Sequence, residues 1–197
     1  MSIDINHMKE LERQIFQEIN MHCDFFVDKN HDNWTTFAPH HYARDPAILT
    51  EQFVNNIKNG ANLLSVGCGR AYLEQFLVRA YNIDSHNIVI ADNLEHNIPK
   101  LFEFHKFDMY NSWPDFKKKF DYIIFPESIV FDKIGPEEGM THLLIEASQR
   151  LLPQGEIRIK GYGIADEIVK ETAQKLNEKL DINQLYFGKD YLALKKN

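Results

Sequence analysis

A chain of 197 residues, 44% hydrophobic and 26% charged, has the size and composition of one globular domain, because single cores stop growing only near ~250–300 residues. A formal net charge of -7 argues against a nucleic-acid partner, which selects for a basic face, and no run approaches the ~18 apolar residues of a membrane span. Two cysteines, Cys23 and Cys68, with no C-x-x-C pair and a polar first segment, point to reduced thiols and a cytoplasmic location.

Leu11, Ile15 and Ile19 recur every four residues and predict an amphipathic helix over 8–28. The next stretch, 29–45, has no period and reads as a loop rich in aromatic and imidazole groups: Trp34, Phe37, His40, His41 and Tyr42. A second helix is expected from Asp45, a good N-cap, with Pro46 at the first helical position and Gly60 as its stop. Residues 1–45 therefore read as an N-terminal helix and lid-like loop, and 46–197 as one compact domain.

From residue 62 short apolar runs alternate with helical stretches. Strands are expected at 63–66, 88–91, 102–107, 122–125 and 156–159, and helices at 71–81, 94–100, 113–119, 136–152 and 164–180. That alternation argues for a parallel sheet with helices on both faces. The runs at 184–187 and 191–194, joined by Gly188-Lys189-Asp190, have hairpin spacing, so the last strand must run antiparallel. The predicted class is α/β: a three-layer sandwich around a mostly parallel seven-stranded sheet.

The residues that carry chemistry fall at strand ends. Gly67, Cys68 and Gly69 follow the first strand, and glycines there let a backbone approach a ligand. Asp92, followed by Asn93, ends the second strand 25 positions after Gly67, where an acid accepts hydrogen bonds from ribose hydroxyls. Asp108 and Met109 follow the third strand, an acid for an adenine amino group and an apolar cover for its ring. Phe125-Pro126-Glu127-Ser128 ends the fourth.

Val-Gly-Cys-Gly at 66–69, Asp92, the Asp108-Met109 pair, the stretch Ala-Ser-Gln-Arg-Leu-Leu-Pro-Gln-Gly at 147–155 and the closing hairpin resemble the class I S-adenosylmethionine-dependent methyltransferases, over roughly residues 46–194. The resemblance implies a Rossmann-like domain whose cofactor, S-adenosylmethionine, contacts Gly67, Cys68, Gly69, Asp92, Asn93, Asp108, Met109, Pro126 and Tyr42. Two positions depart from that family's pattern: Ser65 stands where an acid near the methionine amine is usual, and Ala71 where a third glycine is usual. The Asn-Pro-Pro-Tyr type of motif is absent, which argues against base amines as acceptors.

Methyl transfer needs a nucleophile aligned with the C–S bond and, for a protonated acceptor, a general base. Glu127 and His41, with His40 beside it, are the candidates, and Trp34, Phe37 and Tyr42 are the candidate lid and pocket. A small-molecule acceptor is favoured, ahead of a protein side chain and of nucleic acid. The nine histidines are scattered, so no metal is expected. A non-catalytic binding or scaffold protein of the same fold is the main alternative. A nicotinamide-dependent oxidoreductase is a weaker one, since its fingerprint requires a small residue where Tyr72 stands.

Overall fold

The structure is a computed structural model that describes Glu10 and residues 50–94, 100–129, 135–161, 171–172, 174–176, 179–188 and 191–197. The strands are β1 (Leu63–Val66), β2 (Ile88–Asp92), β3 (Glu103–Lys106), β4 (Phe120–Ile129), β5 (Leu151–Gly161), β6 (Ile182–Gly188) and β7 (Tyr191–Lys196). They form one seven-stranded sheet in the order β3-β2-β1-β4-β5-β7-β6. The first five pair in parallel. β7 is antiparallel to both β5 and β6, as the hairpin spacing requires. The described helices are α1 (Glu51–Lys58), α2 (Tyr72–Tyr81) and α3 (Pro136–Arg150), and the described residues between 171 and 180 are helical as well.

Strand side chains alternate between two apolar layers. Leu64, Val66, Ile123, Phe125, Ile157 and Ile159 face one way, against Met140, Leu143, Leu144 and Ala147 of α3. Leu63, Ile88, Ile90, Tyr122 and Ile124 face the other, against Phe53 and Ile57 of α1 and Leu73 and Leu77 of α2. Parallel strands covered on both faces read as continuous apolar runs rather than alternating ones, which is why β1, β2 and β4 stand out in the sequence. Arg158 of β5 enters the second layer with its charge matched. It pairs with Glu156 at 2.7 Å and lies 4.8 Å over the Phe53 ring.

Three expectations are corrected. The described helix α1 begins at Glu51 rather than at Asp45, because extended Thr50 caps it, its hydroxyl accepting from the Phe53 N–H at 3.1 Å. No helix forms over 113–119. The carbonyls of Trp113 and Pro114, which an α-helix would use internally, accept from the Arg150 guanidinium instead. β5 starts earlier than expected, at Leu151, which pairs with Phe120 before the register shifts. The predicted elements at 8–28, 29–45 and 94–100 lie wholly or almost wholly outside the described residues.

The early start of β5 explains Gly155. A Cβ there would sit 2.9 Å from the Leu152 carbonyl oxygen and 3.1 Å from that of Asp121, and backbone cannot step aside as a side chain can. Gly155→Ala is expected to lower the unfolding free energy by roughly 1–3 kcal/mol. An unchanged urea midpoint would show that the paired starts of β4 and β5 relax freely.

Candidate active site

Parallel β1, β2, β3 and β4 bring their carboxyl ends to one rim of the sheet, the side on which open α/β folds bind ligands. The turn after β1 is held rather than loose. The N–H groups of Gly67 and Cys68 both donate to the Ala91 carbonyl of β2, at 2.8 and 3.1 Å. Gly67 and Gly69 take φ of 74° and 54°, left-handed angles that glycine adopts without a Cβ clash. Ala71, at the place of the third glycine, takes φ 56° nonetheless and is fully buried. The turn therefore keeps its left-handed path through Ala71, and α2 follows directly.

Asp92 fixes this turn from the next strand. One carboxylate oxygen accepts from the Gly69 N–H at 2.8 Å and the other from the Leu94 N–H at 3.0 Å. The acid and the glycines, far apart in sequence, are thus one unit at the tips of β1 and β2. Asn93 beside them is exposed. Asp108 lies just past β3 and closes a turn by accepting from the Tyr110 N–H at 3.0 Å. Met109 packs against the core, and its carbonyl accepts from the Trp113 indole at 2.9 Å.

α3 holds this post-β3 segment from behind. His142 is 2.8 Å from the Asn111 carbonyl, and Glu146 accepts from the Trp113 N–H at 3.0 Å. Arg150 binds the Trp113 and Pro114 carbonyls and lies 5.4 Å over the Trp113 ring. Sequence reading missed Glu146 and Arg150 as supports. Their spacing of four on one helix was the only available signal, and it reads equally well as a surface ion pair.

On β4 the pairing with β5 breaks register between Pro126 and Ile129, a span that contains Glu127. Such irregularities re-aim side chains beside active sites, and they accommodate a proline inside a sheet. Backbone placement thus puts Pro126 and Glu127 on the same rim as Gly67 and Asp92. His40, His41, Tyr42, Trp34 and Phe37 lie outside the described residues. Among the described residues no cluster of His, Cys, Asp or Glu has the makings of a metal site, and no helix is long and apolar enough to cross a membrane.

The electrostatics beneath the turn are unusual. Glu74 of α2 is fully buried, and neither of its carboxylate oxygens has a hydrogen-bond partner. Ser65 of β1 is buried beside it, near enough to ease the charge, yet its hydroxyl also lacks a bond of proper geometry. Loss of water raises the Glu74 pKa to about 7, partly opposed by Ser65 and its own backbone N–H and reinforced by the negative charge of Asp92. The Cys68 thiol is pushed well above its usual range by burial first, then by the charges of Glu74 and Asp92. It is a packed, protonated group, not a nucleophile.

The sequence matches no protein-family model and no curated protein. Solved structures do match. S-adenosylmethionine-bound CalS10, an amino pentose methyltransferase from Micromonospora echinaspora, superposes with a TM-score of 0.60 at 14% identity, over 89% of this chain and 98% of that one. The fold is that of the class I methyltransferases. TrmN from Thermus thermophilus gives 0.50 at 14% identity over 74% of this chain, which spans only 48% of that protein's length. A candidate hemolysin from Lactococcus lactis gives 0.50 at 11% identity over 74% of this chain and 83% of that one. At such identities the likeness concerns the methyltransferase fold, and the chemistry has to be argued from the rim itself.

Proposed function

We propose that this protein transfers a methyl group from S-adenosylmethionine to a small-molecule acceptor. The observation that carries the reading is the Gly67–Gly69 turn tied by its own backbone to Asp92 at the C-terminal rim. A close-approach turn and a strand-end acid are what an adenosine nucleoside with an amino-acid tail requires. A carboxylate offers about four lone-pair directions, so holding the turn does not preclude accepting from ribose hydroxyls. Asp108 and Met109 supply the acceptor and the apolar cover proposed for the base, and Asn93, Pro126 and Tyr42 are proposed to line the same site. The near-complete overlap in length with the amino pentose enzyme supports a small acceptor over a polymer, as does the acidic balance of the chain.

The cofactor, when bound, supplies an already electrophilic methyl group. The protein's part is to hold the acceptor in line, exclude water and accept a proton. Glu127, at the broken register of β4, is the proposed base, with His41 of the N-terminal segment second. Trp34, Phe37 and Tyr42 are the proposed pocket wall.

Calorimetric titration with S-adenosylmethionine and S-adenosylhomocysteine, with NADH as control, tests the reading. Saturable binding of the two sulfur ligands is expected. It should weaken by roughly 100-fold in Asp92→Ala, which removes charge-assisted bonds to the ligand together with the tie to Gly69. A folded protein that binds neither sulfur ligand would leave the non-catalytic reading in its place. Binding of NADH alone would mean that the turn serves a nicotinamide cofactor.

A further inference from the structure

We propose that Glu74, entering from α2, is the acid that receives the ammonium group of the cofactor's methionine part, in place of the strand residue Ser65. The inference rests on the methyltransferase reading and concerns how this chain fills that role after losing the acid two residues before Gly67. It makes Glu74 a cofactor-positioning residue that strand-based motif reading does not reach.

Three observations carry it. The first is position. Ser65 and Glu74 lie together under the turn, the former from β1 and the latter from the start of α2, so an acid absent from the strand is present on the helix packed against it. The second is an unmet need. Both Glu74 oxygens and the Ser65 hydroxyl are buried without hydrogen bonds, whereas buried polar side chains are nearly always satisfied. The third is charge. Among the described residues, the charged group that acts on Glu74 is a second acid, Asp92. From the turn comes Cys68, a protonated thiol, and α1 contributes only Phe53, Val54 and Ile57 to the shared layer. A buried carboxyl with no hydrogen bond of its own, beside a second negative charge, is a site short of positive charge, and S-adenosylmethionine brings an ammonium and a sulfonium.

The near-neutral pKa of Glu74 gives the inference a signature of its own. Pairing with an ammonium favours the carboxylate, so a carboxyl that is part-protonated at pH 7 gives its proton to the buffer as the ligand binds.

The test is calorimetry at pH 7 with two probes, S-adenosylhomocysteine and 5′-methylthioadenosine, which keeps the nucleoside sulfide but lacks the amino-acid part. Glu74→Gln is expected to weaken S-adenosylhomocysteine by about tenfold or more and to leave methylthioadenosine unchanged, which also shows that the variant is folded. Adding Ser65→Asp to Glu74→Gln returns the acid to the strand and should recover most of the loss. In the unmodified protein the binding enthalpy should vary with the ionisation enthalpy of the buffer, and in Glu74→Gln this dependence should vanish. Equal weakening of both probes, or no weakening of either, overturns the role given to Glu74 while leaving the methyltransferase reading intact. Failure of the unmodified protein to bind either probe overturns both.

Discussion

Arg150→Ala is expected to lower the unfolding free energy by roughly 3–5 kcal/mol, the range for removing one partner of a largely buried ion pair. The guanidinium reaches in three directions. It pairs with Glu146 at 2.9 Å, donates to the Trp113 carbonyl at 2.8 Å and the Pro114 carbonyl at 3.2 Å, and covers the indole face. Its loss leaves the Glu146 carboxylate, only 15% exposed, without a counter-charge, and leaves two carbonyls without their donor. Arg150→Lys should recover less than half of the deficit, because an ammonium cannot match the planar fork. The same variants should weaken nucleoside binding, since Trp113 carries the hydrogen bond to Met109 that steadies the segment beginning at Asp108. Urea unfolding measures the first effect and titration with methylthioadenosine the second. A midpoint within error of the parent would show that the clamp is incidental.

The second large effect is one of pH. The carboxyl of Glu74 has a folded pKa of about 7 against an ordinary value of 4.5, so between these limits the folded state binds more protons than the unfolded one. The stability this group contributes is complete below about pH 4.5 and is lost as pH rises through 7. The difference amounts to roughly 3 kcal/mol. Other groups titrate over the same range, so the comparison is with Glu74→Gln, whose amide never charges. The unliganded variant should gain on the parent by about that amount between pH 4.5 and pH 8. Parallel stability profiles for the two proteins would show that water reaches the carboxyl and that its burial is only apparent.

The sheet was legible because its strands are buried on both faces, and Leu63–Val66 and Ile88–Ala91 have no other use for such runs. The hairpin was legible from Gly188-Lys189-Asp190 between two strand-like runs. What escaped was decided by groups distant in sequence. The segment 113–119 has helical composition, yet its carbonyls are claimed by Arg150, 37 positions beyond Trp113. The glycine turn and Asp92 were visible as separate signals, and the structure adds that one holds the other. Glu74 was hidden for a simpler reason. α2 buries Leu73, Glu74, Gln75, Phe76 and Leu77 in succession, and an acid next to an apolar stripe ordinarily reads as the wet side of a helix.

The placement of β7 bears on how the molecule is assembled as it is made. β6 is synthesised before β7 but touches the sheet only through it, and β5 depends on β7 to cover its open side from Glu156 to Lys160. A nascent chain that has passed residue 188 but not yet reached 191 therefore carries a strand with no berth and a strand, β5, with a bare flank of amide and carbonyl groups. Such a flank is a template for pairing with another chain. The arrival of residues 191–196 closes both openings at once, and Lys196 then fastens the new strand to the end of α3 through the Ser148 carbonyl at 2.8 Å. Completion of the sheet thus waits for residues 191–196, and products of this chain that break off between β6 and β7 belong with the molecules a cell must shield or destroy.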